Sequence, residues 1–418
     1  MINSSMTQEE KDNKQQLENS AIGSWAGYIY QGVCGMIEAV RLVTEANPMG
    51  YSLSLDTLED FAILNEEGKA ISLHQCKDKK GQTDYTEAHN LMLKVKDFLR
   101  EKDRLADNVS LYFHCNKKVN TPEGISLYTF PDGQDHCEPS NVVTMLRMLV
   151  EAYRQKEGIV YESDIVVASL LSLVEKKVLD VQQKYFNGKD TLKSIADEES
   201  RIPFADIVSL LRSDDKLILS DAVLPQYTKM KYVEHLKREF QTEREEAVHN
   251  GNAFDAEKMA NIIDAVSMMS EKEWARFLKR IVPDMAVDMQ NAHNLCPNEK
   301  GETLFAILNQ LRETVLPQIH WVNGQNENIT PTAIRKAPNR LNRLIEDVCR
   351  NSGNLDALYE FRWMVADVPG ARVDHIFDEL NPITDVKEGE GNEEEDKPVY
   401  NQRNDMGLYG IEHAPEIL

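Results

Sequence analysis

Leu53-Ser-Leu-Asp-Thr-Leu-Glu-Asp-Phe-Ala-Ile-Leu-Asn-Glu-Glu-Gly-Lys-Ala-Ile-Ser-Leu-His-Gln-Cys-Lys-Asp-Lys-Lys80 decides how the N-terminal part of this chain folds. It reads as a β-hairpin. Phe61, Ile63, Ile71 and Leu73 give two short strands their aromatic and β-branched content. Glu66-Glu67-Gly68-Lys69 is the turn, with Gly68 able to take a positive φ. If Glu67-Gly68 centres the loop, Asp60 lies opposite Gln75. Side chains alternate along a strand, so Gln75 and Lys77 share a face with Asp60, and His74 and Cys76 point to the other. A slip of one residue would replace Asp60 with Glu59.

An acid, a second oxygen donor and a lysine at this spacing are what metal-assisted cleavage of a phosphodiester needs. Asp60, the amide oxygen of Gln75 and the main-chain carbonyl of Cys76 are oxygen donors suited to Mg2+, with Mn2+ as a substitute. Lys77 would orient or help deprotonate the attacking water, or neutralise charge on the phosphate. The plain alternative is a surface hairpin with a solvated Gln and Lys.

Gly27-Tyr-Ile-Tyr-Gln31, a helical run and then the hairpin resemble the PD-(D/E)xK nuclease superfamily. The likeness is to the branch with Gln-x-Lys in place of Glu-x-Lys. That branch includes Mrr-like restriction enzymes and nuclease domains of anti-phage effectors, among them CBASS effectors and the A subunit of Lamassu and related ABC three-component systems. The pattern is carried here by Tyr30-Gln31, Glu59-Asp60 and Gln75-Cys76-Lys77, within about the first 120 residues. The resemblance implies Asp60 as metal ligand, Gln75 as second ligand and Lys77 as catalytic lysine. Gln31, Cys34 and Glu38 lie on one helical stripe. Some members of the superfamily carry a further glutamate there that reaches the metal. Glu38 could play that part or be a solvated helix residue. Gln31 and Glu59 are further accessory candidates, and the role of Asp56 is open.

After the hairpin, Thr83–Arg104 reads as a helix and Asn108–Cys115 as a strand. This gives an αβββαβ-like order and an α/β, restriction-endonuclease-like domain with a small mixed sheet flanked by helices. Lys77, Lys79, Lys80, the helix cations and Lys117-Lys118 could line a phosphate track, although a cationic helix face is usually a solvated one. The whole chain carries a formal charge of −23 with a pI near 4.9, which argues against a broad basic surface. Acids and cations nearly balance over the first 118 residues, however, and the acid excess lies later, most densely around Glu393-Glu-Glu-Asp396.

At 418 residues there is room for two or three domains. No apolar run approaches a membrane span, and the polar first twenty residues hold no signal core, so a cytoplasmic protein without membrane contact is expected. Six scattered cysteines suit reduced thiols. His114-Cys115 and His136-Cys137 could supply zinc donors, but neighbours on a strand face opposite ways, so at most one of each pair easily joins a site.

From about residue 140 the pattern turns helical. Val142–Gln155, Ile165–Val181, Lys231–Val248, Thr303–Val315, Leu341–Cys349 and Leu355–Val365 repeat apolar residues at helical spacing. Pro203 opens a short helix, and Ser270-Glu-Lys-Glu273 fits a capping box. No second catalytic motif is present. Arg335, Lys336, Arg340 and Arg343 form a basic cluster that reads first as a solvated face. The expected organisation is a polar segment at 1–20, a nuclease-like domain at 21–135, a mostly α-helical partner-binding or oligomerisation region at 140–383, and an acidic, flexible tail at 384–418.

The functional expectation is a Mg2+-dependent endodeoxyribonuclease of an anti-phage complex. It would be held inactive by its partners and activated by self-association to cut double-stranded DNA with little sequence specificity. The resemblance implies an SMC- or Rad50-like ABC ATPase and a small accessory subunit as those partners. The alternative is a non-catalytic scaffold subunit that retains a nuclease fold.

Overall fold

The computed structural model describes residues 21–46, 48–55, 58–77, 85–160, 162–186, 201–213, 220–250, 254–310, 314, 316, 318–335, 345, 348, 357–358, 360–369, 371–376 and 405–413. Asp56, Lys79, Lys80, Lys336, Arg340, Arg343 and the Glu393–Asp396 run fall outside them. The chain divides into two compact units, Met1–Tyr227 and Thr228–Leu418. Among the described residues no helix is long and apolar enough to cross a membrane.

The first unit opens with helix α1 (Ala21–Ala46). Strands β1 (Ser52–Leu55), β2 (Phe61–Leu64) and β3 (Ala70–Lys77) follow, then helix α2 (Thr86–Glu101) and strand β4 (Leu105–Cys115). This is the order expected from the sequence. The sheet is completed by β5 (Ser126–Leu127) and by a strand far along the chain, β6 (Arg201–Pro203), giving the order β5-β4-β3-β2-β1-β6. β6, β1, β2 and β3 pair antiparallel, while β3, β4 and β5 pair parallel. The α2 crossover is what lets β3 and β4 run parallel.

One face of the sheet holds Ala62, Leu64, Ala70, Leu73, Leu111 and Phe113, packed with Met92 and Leu99 of α2. The other face meets α1. Residues Ile29, Tyr30 and Val33–Val40 of α1 are buried almost without interruption, as expected for a helix covered all round. Its outer side is covered by α3 (Pro139–Lys156) and α4 (Ser163–Phe186). Glycines permit the close approach: a side chain at Gly32 would run into Val174, and one at Gly35 would press on Leu53 and Phe61. Short helix α5 (Phe204–Leu211), entered through Pro203 as expected, also packs on α1. The first unit therefore runs well beyond the boundary expected near residue 135.

The second unit begins within α6 (Leu224–Asn250) and continues through α7 (Ala256–Ser267) and α8 (Glu271–Ile281). The capping box is present: Glu273 N donates to Ser270 Oγ at 3.1 Å, and Ser270 N donates to Glu273 Oε2 at 2.8 Å. After α9 (Ala292–Leu295) and α10 (Asn298–Gln310) the chain builds a five-stranded sheet. Its strands are β7 (Trp321–Val322), β8 (Asn328–Pro331), β9 (Phe361–Ala366), β10 (Arg372–Ile376) and β11 (Asp405–Gly410), in the order β10-β11-β9-β8-β7.

Among the described residues the region from about residue 140 is mostly helix, as expected, but the second unit also carries this sheet. One expectation is corrected: Phe361–Ala366 within the expected Leu355–Val365 helix is a strand. A short strand paired in parallel with neighbours on both sides shows no clean alternation, so its apolar run resembles helical spacing. The segment read as a flexible tail also returns to the fold, since Asp405–Gly410 forms an interior strand that buries Met406 and Leu408.

Candidate active site

The hairpin register places the site. Phe61 pairs with His74, Ala62 with Leu73 and Ile63 with Ser72, which is the expected register; the pairing stops at Phe61, and extending it by one residue sets Asp60 against Gln75. Next to the turn, Leu64 instead pairs with Ala70, so Ile71 is a bulged residue. The turn is tied by Asn65, whose Oδ1 accepts Glu67 N and Lys69 N at 3.1 and 2.9 Å. Gly68 takes φ +75°. The bulge reverses the alternation of β3, so Ala70 and Leu73 face the same core and Gln75 and Lys77 follow on that side.

Leu58-Glu59-Asp60 form a bend rather than a strand. Strict alternation therefore does not separate Glu59 from Asp60, and both carboxylates turn toward the end of β3. Asp60 Oδ2 accepts the N–H of Cys76 at 2.6 Å, and Lys77 Nζ stands 4.0 Å from the same oxygen. Gln75 Nε2 donates to Glu59 Oε2 at 3.4 Å. The remaining oxygens, Glu59 Oε1 and Gln75 Oε1, are buried and have no hydrogen-bond partner. Burial, then the charge of Asp60, pushes Glu59 up to about 7; burial also raises Asp60, against the opposing pull of Lys77 and the Cys76 N–H.

This pocket carries an excess of acceptors. Two carboxylates and an amide oxygen converge, two of their oxygens lack donors, and among the described residues Lys77 provides a nearby positive charge. A hard divalent cation is the group that such a donor set fits: it would satisfy the orphaned oxygens and relieve the repulsion between Glu59 and Asp60.

Glu38 is not brought to this pocket. It is buried on the α1 side of the sheet, held by Arg41 Nε and Nη2 at 2.8 and 2.7 Å and by the Tyr128 hydroxyl at 3.0 Å. The reason is topological: α1 covers the face opposite the one that Gln75 and Lys77 occupy. Gln31, half-buried on the same helix, makes no hydrogen bond to Asp60, Gln75 or Lys77 among the described residues. Tyr30 is an anchor, its hydroxyl donating to the Cys137 carbonyl at 3.0 Å.

A buried polar chain on the α1 side was not anticipated. His74 Nδ1 lies 3.0 Å from His114 Nε2, and His74 Nε2 lies 2.8 Å from Ser72 Oγ. Phe61 stacks on His74 and Tyr128 on His114, each with ring centroids 4.2 Å apart. Burial lowers both imidazoles, His114 to about 3, so each is neutral. Alternation showed which way His74 points, but its partner on β4 could not be paired without the parallel register. The first His-Cys pair divides between the two faces: His114 faces α1, whereas Cys115 packs with the α2-side core and its thiol lies 3.7 Å from the Asp135 carbonyl.

The family model for C-terminal domain 1 of the ABC-three component (ABC-3C) systems matches residues 125–370, more than half of the chain. The chain belongs to this family. No curated protein and no solved structure matches it. In this ABC-3C protein the matched region starts at the edge of β5, so Glu59, Asp60, Gln75 and Lys77 all lie ahead of it. It includes α3, α4, β6 and α5, the elements that complete the first unit, as well as strands β7 to β9 of the second.

Proposed function

We propose that this ABC-3C protein is the nuclease effector of an anti-phage complex, a Mg2+-dependent endodeoxyribonuclease acting on double-stranded DNA. The observation that carries the reading is the convergence of Glu59, Asp60, Gln75 and Lys77 at the end of β3, with two buried oxygens left without donors. Membership of the ABC-3C family supports the setting, with an ABC ATPase among its partner subunits. Resemblance of the Tyr30-Gln31, Glu59-Asp60 and Gln75-Cys76-Lys77 pattern to PD-(D/E)xK nucleases supports the chemistry.

Asp60, Glu59 and Gln75 would hold the ion, Mg2+ or in its place Mn2+, which when bound would polarise a phosphate oxygen and favour ionisation of a water. Asp60 is oriented by the Cys76 N–H, so one of its oxygens is fixed before any ion arrives. Lys77, partly exposed at the end of its strand, is placed to position the attacking water and to meet charge developing on the phosphate. No base-reading motif is visible in the sequence, so little sequence specificity is expected. One such site cuts one strand, and a double-strand break then calls for self-association of two chains.

The test is cleavage of supercoiled and linear DNA with Mg2+, wild type beside Lys77→Ala, each alone and with the ATPase partner, over a range of concentrations. Magnesium-dependent cutting that falls by about a hundredfold or more in the variant is expected, with an unchanged melting profile and a steep dependence on concentration. Equal cutting by both proteins would remove Lys77 from the site. No cutting even with the partner would favour a scaffold role.

A further inference from the structure

Behind β3, on the face that α1 covers, three donors converge that cleavage does not use. Cys34 of α1, Cys76 of β3 and His114 of β4 are all buried, and their ligating atoms lie within 4.8 Å of one another. His114 Nε2 is engaged by His74, while its Nδ1 is buried and has no hydrogen-bond partner. We propose that Cys34, Cys76 and His114 form a binding site for a thiophilic transition-metal ion, zinc foremost, ligated by two thiolates and His114 Nδ1.

The donor set distinguishes this site from the one in front of the strand. Two sulfurs and an imidazole nitrogen select zinc and similar borderline-soft ions, and they do not suit Mg2+. Around a tetrahedral zinc, with Zn–S about 2.3 Å and Zn–N about 2.0 Å, neighbouring donors stand about 3.5 Å apart. The present separations need to close by little more than about 1 Å, which small rotations of two cysteine side chains supply. Charge also balances. A divalent ion with two thiolates is neutral, so it can sit in a core where an isolated charge could not. The two thiol protons leave to solvent as the ion enters.

Support behind the imidazole is already in place. In the tautomer in which His114 donates from Nε2 to His74 Nδ1 and His74 from Nε2 to Ser72 Oγ, the lone pair of His114 Nδ1 is left for a metal, and an ion there would select that tautomer. Three buried soft side chains can also pack as plain core; a histidine beside two thiols that keeps a buried Nδ1 without a hydrogen-bond partner argues for more than that. Such an ion would pin α1, β3 and β4 together. Because Cys76 sits between Gln75 and Lys77, it would also hold the cleavage residues from behind.

The experiment reads metal rather than cleavage, so its outcome is independent of the nuclease reading. The full chain, purified under reducing conditions and stripped of metal, is titrated with Co2+. One equivalent is expected to give a thiolate-to-cobalt charge-transfer band. Zn2+ should displace that band, and Mg2+ in hundredfold excess should leave it unchanged. Cys34→Ser should lose it and Cys115→Ser should keep it. A wild-type protein without the band at saturating Co2+ would overturn the proposal, even if the variants fail to fold. So would a band that persists unaltered in both Cys34→Ser and Cys76→Ser.

Discussion

At the scale of single residues, Glu59 is where stability and the proposed metal binding oppose each other. Burial and the charge of Asp60 push it up to about 7, whereas in the unfolded chain it ionises near the ordinary value of about 4.3. Between these values the folded state keeps a proton that the unfolded chain has released. The contribution of this group to stability is therefore full below the window and is lost as pH rises through about 7. At pH 8 the metal-free protein carries a cost of at most about 4 kcal/mol here. Glu59→Gln should therefore melt higher than wild type at pH 8 without metal. Mg2+ should raise the wild-type melting temperature at pH 8, do so much less at pH 5.5, and hardly move the variant. An equal response to Mg2+ in both proteins would exclude Glu59 as a ligand. His74 and His114 slope the other way: their lowered values cost stability as pH falls below the ordinary histidine range, since the unfolded chain then takes up protons that they refuse.

Among the elements, the β2–β3 hairpin carries the most information per residue. Gly68 at φ +75° stands against the Arg201 guanidinium, so a Cβ there adds backbone strain and a contact at 3.4 Å. Gly68→Ala should cost about 1 kcal/mol in urea unfolding and leave metal-dependent cleavage per folded molecule unchanged. A loss of cleavage larger than the loss of stability would show that the turn does more than set the register. The opposition of Asp60 and Gln75 was legible because alternation and a glycine turn are local signals. The bulge at Ile71 was not, since it arises from reconciling a tight turn with two already committed core faces. Glu59 was half-legible: a bend obeys no alternation, and only the coordinates place both acids together. Glu38 looked available because a helical stripe says which residues align, not which face of a sheet the helix will cover.

At the scale of the whole molecule, periodicity misled where strands are short and central. Phe361, Trp363 and Val365 fall in a stretch whose apolar spacing fits a helix, yet β9 lies between β8 and β11. Its Trp363 meets Tyr409 edge-on at 5.0 Å, and Gly407 leaves the room that the indole fills. Removing residues 384–418 should therefore do more than shed charge. It withdraws an interior strand and uncovers Met364, Val373 and their neighbours. The shortened protein should aggregate, or unfold in its second unit at markedly lower urea, as followed by size-exclusion chromatography and tryptophan fluorescence. A monodisperse product of unchanged stability would mean that β11 contributes little.

The edge strand β6 has a bearing on how such proteins could be recombined. Arg201–Pro203 pair with Ser52–Ser54, so a segment inside the family-matched region lies alongside the first strand of the chain. A graft made near residue 125, where the match begins, would cut through one sheet and strip α1 of its outer cover. A fragment ending at residue 135 should be insoluble, whereas one ending at Tyr227 should be recovered folded. If so, another N-terminal domain can be exchanged onto this scaffold only as a cassette that carries its own version of the strand and helices now supplied from downstream.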